Sequence, residues 1–194
     1  MDRKISLSQY RWMDVGTLTV LMVFAELLIF LAVSQWFPEQ LFTVSPIGAI
    51  VTLVMMRWGF EAAVPAAVGG LLYSVLYGGN GSQILIYTLG NLLAMVMVPV
   101  FRKIGKEKIR SEKFIGIMLA LGVSVLMQIG RGLAALLFGG TMGTLLRFIT
   151  TGVLSDIFTM IVIWITYQVD GLFEDQKHYL LRIQKEQEER GKQS

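Results

Sequence analysis

Six apolar stretches occupy most of this chain, and no other feature limits its fold so tightly. A helix that crosses the roughly 30 Å hydrocarbon core of a bilayer needs about 20 largely apolar residues. The stretches cover residues 15–36, 42–58, 60–78, 82–101, 114–138 and 145–169. The second is short and is broken near its start by Pro46, which predicts a tilted or partly re-entrant segment. Pro65 and Pro99 are expected to kink or terminate their helices. Of the 194 residues, 54% are hydrophobic and only 16% charged. A soluble domain of this size needs a more highly charged surface, so lipid is the better solvent. The fold class that follows is all-α, a polytopic membrane bundle of six transmembrane helices spanning residues 1–170. A polar tail, residues 171–194, completes the chain, and Leu172, Phe173, Leu180 and Ile183 give it a weak apolar edge of helical spacing.

The basic residues orient these helices. Arg3, Lys4 and Arg11 precede the first stretch, and Arg57 marks the turn between the second and third. Arg102, Lys103, Lys106, Lys108, Arg110 and Lys113 fill the loop after the fourth, and Lys177, Arg182, Lys185, Arg190 and Lys192 lie in the tail. If six helices alternate, all but two of the 17 basic residues fall on one side. The opposite loops, around residues 38–45, 79–81 and 139–143, contain no Lys or Arg. Positive charge marks the cytoplasmic side, so both termini are expected in the cytoplasm of a multi-pass protein of the bacterial plasma membrane. The N-terminal MDRKISLSQYRWMD is too polar to begin a cleaved signal peptide.

Several functions find no support. There is no cysteine, hence no thiolate nucleophile and no Cys-based metal site, and the single His178 lies in the polar tail. The sequence contains no GxSxG, HExxH, Walker A or paired-aspartate motif, so no enzyme activity, metal or cofactor is expected. Gly78-Gly79-Asn80-Gly81 reads as a tight turn. The net charge of +3 resides in short blocks between apolar runs, which argues against a nucleic-acid partner.

The remaining two basic residues, Arg131 and Arg147, carry the functional information. A charge at membrane depth costs several kcal/mol and usually faces a partner or a wet cavity. Both lie in the outer third of the bilayer on helices five and six. Gln128 and Arg131 share a face, and Arg147, Thr151 and Ser155 form a polar stripe at four-residue spacing. Helix four presents Gln83, Tyr87 and Asn91, and helix three presents Tyr73 and Tyr77 near the same end. Polar and aromatic groups converging near one membrane face suit a small-molecule pocket. The competing reading makes the tyrosines interfacial belt residues and lets the arginines reach outer headgroups. Glu26 and Asp156 lie deeper and compete as ion-pair partners for the arginines. Ala62, Ala66 and Gly70 on helix three permit close helix approach, either within the bundle or against another membrane subunit.

With SPIGAIVTLVMMRWGFEAAVPAAVGGLLYS followed by NGSQILIYTLGNLLA, and with its size and six short-looped spans, the chain resembles the substrate-binding S component of an energy-coupling factor (ECF) vitamin transporter. The resemblance covers residues from about 13 to 170. It implies a high-affinity receptor for a vitamin-like small molecule, which delivers its ligand by toppling against a transmembrane coupling subunit driven by two ATPase subunits. It also implies a ligand site near the outer ends of helices four to six, which falls here on Asn91, Gln128, Arg131 and Arg147. Many members dock through an Ala-x-x-x-Ala motif on helix one. This chain has Ala25 and Ala32 there, seven apart, and its nearest such motif, Ala62 and Ala66, is on helix three. A membrane scaffold of the cell-shape or division machinery, with no small ligand, is the alternative.

Overall fold

The computed structural model describes residues 7–37 and 44–169; the polar tail with His178, and Phe42 at the start of the second apolar stretch, lie outside the described residues. Among the described residues every regular element is helical. They are α1 (Leu7–Trp36), α2 (Ile47–Trp58), α3 (Ala63–Leu76), α4 (Gly81–Asn91), α5 (Val98–Ile104), α6 (Lys106–Ser111), α7 (Lys113–Leu137), α8 (Met142–Thr151) and α9 (Val153–Thr166). Tighter 3-10 turns at Gly59–Ala62 and Leu92–Met97 join α2 to α3 and α4 to α5. The second precedes Pro99, which has no N–H to donate back into the preceding turn.

Five helical stretches are long and apolar enough to cross a membrane: Ser8–Trp36, Ile47–Leu76, Gly81–Ile104, Lys113–Leu137 and Met142–Thr166. Helices suit that solvent because each satisfies its own backbone polar groups. The side-chain distribution agrees. Leu21, Phe24, Leu28 and Leu31 project outward from α1, and Ile157, Ile161 and Trp164 from α9, whereas Glu26, Thr52, Asn91 and Thr159 are fully buried. An apolar exterior with polar side chains kept inside the bundle suits a membrane protein.

The stretch Ile47–Leu76 is not a straight rod. Along a continuous helix Ile47 and Gly69 would stand about 33 Å apart. Instead a Cβ placed on Gly69 would lie 2.8 Å from the Ile47 side chain. The reversal occurs at Gly59, whose φ of 77° ends α2 in a conformation that glycine adopts readily. Consequently α2 and α3 form a hairpin. At 12 residues α2 rises only about 18 Å, and it begins deep in the bundle, where Ser45 Oγ donates to Glu26 Oε2 at 2.7 Å.

Contacts at the Gly59 end tie distant segments together. Asp14 accepts hydrogen bonds from Arg57 Nη1 and Trp58 Nε1, both at 2.6 Å, and Arg11 pairs with Glu61 at 2.8 Å. Lys106 Nζ donates to the Arg57 carbonyl at 2.5 Å, and the Tyr167 hydroxyl to the Ile109 carbonyl at 2.6 Å. The start of α1, the Gly59 turn, α6 and the end of α9 therefore share one end of the molecule. The turns after α3 and α7 form the other end, where capping boxes at Asn80/Gln83 and Thr141/Thr144 start α4 and α8.

Within this bundle α7 is central, packing against α2, α4, α8 and α9. Its closest crossing is with α4 at Gly90 and Gly130. A Cβ on Gly90 would lie 2.5 Å from the backbone of Arg131, so only glycine permits this approach. The small-residue stripe on α3 serves the interior. Ala62 and Ala66 are fully buried, and a Cβ on Gly70 would overlap the Tyr87 carbonyl. These two alanines, which sequence spacing allowed either to pack within the bundle or to dock another subunit, pack within it. Ala25 and Ala32 on α1 are half-buried.

Candidate functional site

The crossing of α4 and α7 sets the site. It brings Asn91 against Arg131, whose Nε donates to Asn91 Oδ1 at 2.7 Å. Asn91 Nδ2 in turn donates to the Ala66 carbonyl on α3 at 2.9 Å. This two-step bracket fixes the guanidinium plane from behind, without a carboxylate. The Arg131 Cζ stands 5.0 Å from the centre of the Tyr87 ring and 5.8 Å from that of Tyr73, within reach of a cation–π attraction. The two rings stack, 5.0 Å apart and inclined by 26°. Phe148 of α8 meets Tyr87 edge-on at 5.6 Å, and Tyr77 continues the cluster from Tyr73 at 4.6 Å.

In front of this wall lies a cavity of about 350 Å³. Tyr73, Gln83, Tyr87, Gln128, Arg131 and Arg147 line it, so six of the eight residues read from the sequence as ligand contacts meet around one space. The other two have different positions. Asn91 holds Arg131 from behind, and Tyr77 lines an adjoining cavity of about 120 Å³ that shares Tyr73, Gln83 and Tyr87 with the first. Sequence reasoning missed Thr144 and Phe148 as lining groups and Ser74 in the smaller cavity. Spacing held a signal for the first two, since Thr144, Phe148 and Thr151 share a helical face beside Arg147. The predicted stripe stops at Thr151: the chain breaks between α8 and α9 at Gly152, so Ser155 is not among the lining residues.

Neither buried acid belongs to the cavity lining. Glu26 takes the Ser45 hydroxyl through one oxygen, and its Oε1 has no partner. Asp156 accepts from Ser124 Oγ at 2.5 Å and from Gln128 Nε2 at 3.5 Å. Among the described residues neither acid forms an ion pair with Arg131 or Arg147, and no Asp or Glu lines the cavity. Glu26 and Asp156 contribute only longer-range attraction to Arg131. The cavity therefore presents two cations with hydrogen-bonding and aromatic neighbours, a lining chemically complementary to an anionic or polar group.

Two other spaces differ in chemistry. One, about 760 Å³, is an open groove along α4 and α7 lined by apolar side chains such as Leu89, Val96 and Leu133. It offers no directional contact. A third of about 360 Å³ at the Gly59 end has basic residues, but each is engaged: Arg57 with Asp14, Lys106 on the end of α2, and Arg102 over Phe60 at 5.0 Å. Among the described residues no group of three or more His, Asp or Glu side chains is placed to hold a metal. Compared with protein-family models, curated proteins and solved structures, the chain finds no match.

Proposed function

We propose that this chain is the substrate-binding S component of an ECF-type transporter, taking a vitamin or related micronutrient from outside the cell. In this reading the α2–α3 hairpin counts as two crossings, giving six with both termini in the cytoplasm. The charge pattern supports it: Arg11, Arg57, Arg102 and Lys106 gather at the Gly59 end, while the turns at the cavity end carry no Lys or Arg. The cavity then opens toward the outer face of the plasma membrane. The chain itself carries out no chemistry. It hands its ligand to a transmembrane coupling subunit and two ATPases, with the α1 face around Ala25 and Ala32 as the docking surface.

The observation that carries this reading is the polar cavity holding Arg131 and Arg147 with no carboxylate in its lining. Two guanidinium groups at membrane depth around empty space are costly for a scaffold and useful to a receptor. The test is binding of a vitamin panel to the full chain purified from membranes in detergent, with co-purification of coupling and ATPase subunits. One vitamin should bind with submicromolar affinity, and Arg131→Ala should weaken it at least 100-fold. If no panel member binds and no small molecule accompanies the purified protein, the receptor reading is wrong.

A further inference from the structure

The cavity constrains its ligand more narrowly than the receptor role does. We infer that the solute is a small planar ring compound bearing a carboxylate or phosphate. Its anionic group lies against Arg131 and Arg147, and its ring against the aromatic wall of Tyr73, Tyr87 and Phe148. The inference rests on the receptor reading and deepens it.

Charge comes first. Arg131 spends its Nε on Asn91, and its terminal nitrogens have no partner among the described residues. That leaves the paired N–H fork that matches two oxygens of a carboxylate or phosphate. Arg147 is exposed on α8 and lines the same cavity. A cationic ligand would meet two like charges with no carboxylate facing it. A neutral ligand would strip water from both guanidinium groups without compensating them. The acids nearest to them, Glu26 and Asp156, are held behind the wall by Ser45, and by Ser124 and Gln128.

Shape follows from the wall. Tyr73 and Tyr87 are already stacked, and Phe148 stands edge-on to Tyr87, so the aromatic surfaces are preformed. Flat rings gain from such surfaces through stacking, and guanidinium planes stack on rings in the same way. A flexible acyclic acid would satisfy the arginines and leave the wall without a partner. Size narrows the class further: at about 350 Å³ the cavity lies near the small end of ligand pockets, which run from about 300 to 1,000 Å³. One ring with its acid group and small substituents fits that space. The adjoining 120 Å³ cavity, with the buried Ser74 hydroxyl, Tyr77 and Gln83, has room for one polar substituent.

Calorimetry on the full chain in detergent, with matched probes, tests this. Nicotinate against nicotinamide, and pyridoxal 5′-phosphate against pyridoxal, vary charge on a constant ring. Benzoate against cyclohexanecarboxylate varies flatness, and thiamin and pantothenate supply a cationic ring and a flexible acid. Small molecules released from the natively purified protein are identified by mass spectrometry in parallel. The expected result is that the tightest ligand, from the panel or the extract, is a ring anion that binds at least 100-fold better than its uncharged partner. Arg131→Gln and Arg147→Gln should each lose at least tenfold, and Arg147→Lys should retain most of the affinity. Arg147 is exposed, so its variants stay informative should Arg131→Gln misfold. A tightest ligand that is neutral, cationic or acyclic, or arginine variants with unchanged affinity, would overturn the ring-anion inference and leave the receptor reading standing. No ligand from either source would overturn both.

Discussion

The Gly90–Gly130 crossing offers a direct test of how packing builds the site, and Gly90→Ala is the perturbation. The added Cβ would sit 2.5 Å from Arg131 N and Cα, atoms of a helix backbone that cannot rotate aside. Ordinary carbon contacts lie at about 3.5–4.0 Å, so α4 and α7 must separate locally by about 1 Å. The Arg131–Asn91 bond, 2.7 Å in the native protein, would lengthen to about 3.7 Å, beyond hydrogen-bonding range. Overpacking costs about 1–3 kcal/mol. Loss of a hydrogen bond to a charged group adds about 1.5–3 kcal/mol. Replacing a helical glycine by alanine returns about 1 kcal/mol through propensity. The expected net destabilisation is thus about 1.5–5 kcal/mol from one methyl group. Gly16→Ala is the control, because nothing lies within 4 Å of its added Cβ, and it should be neutral or slightly stabilising. Denaturant titration of purified protein without ligand measures both. If Gly90→Ala proves as stable as the native chain, the close crossing does not position Arg131 and the argument from it fails.

Other outcomes follow from the same contacts. Asn91→Ala removes the bracket without removing a lining residue, so ligand affinity should fall about tenfold while Arg131 remains, as calorimetry would register. Glu26→Gln keeps an acceptor for Ser45 and should leave stability within about 1 kcal/mol, whereas Glu26→Ala strands that buried hydroxyl and should cost about 1–3 kcal/mol. Equal losses in the two variants would give the Glu26 charge a role beyond this bond. Because the chain has no cysteine, single cysteines can report topology directly. Positions 79 and 140 should react with a membrane-impermeant maleimide in intact cells and position 107 only after lysis; labelling of all three from outside would contradict six alternating crossings.

Residue chemistry alone delimited much of the molecule. Long apolar runs have no stable form in lipid but helices, so the all-helical bundle was legible without tertiary information. Helical spacing also sorted Gln83, Tyr87 and Asn91, and separately Gln128 and Arg131, onto common faces. Periodicity states which residues share a face, and it is silent on which neighbour that face meets. Hence spacing left Ala62 and Ala66 open to a docking role beside the favoured one of packing within the bundle, and the fold buries them. Asn91 read as a ligand contact, and the fold makes it the bracket behind Arg131. Glu26 and Asp156 were matched in sequence to the arginines by charge, yet they meet Ser45, Ser124 and Gln128 instead. The turn between the second and third stretches was read at residues 57–60, where Gly59 reverses the chain through its positive φ, but the break at Gly152 was hidden, because it depends on the Gln128 side chain packing where a Cβ would stand. Sequence thus determined the helices and the inventory of polar groups within them. Tertiary packing decided which of those groups face one another across open space, since a cavity is a property of several helices at once and of no single stretch of chain.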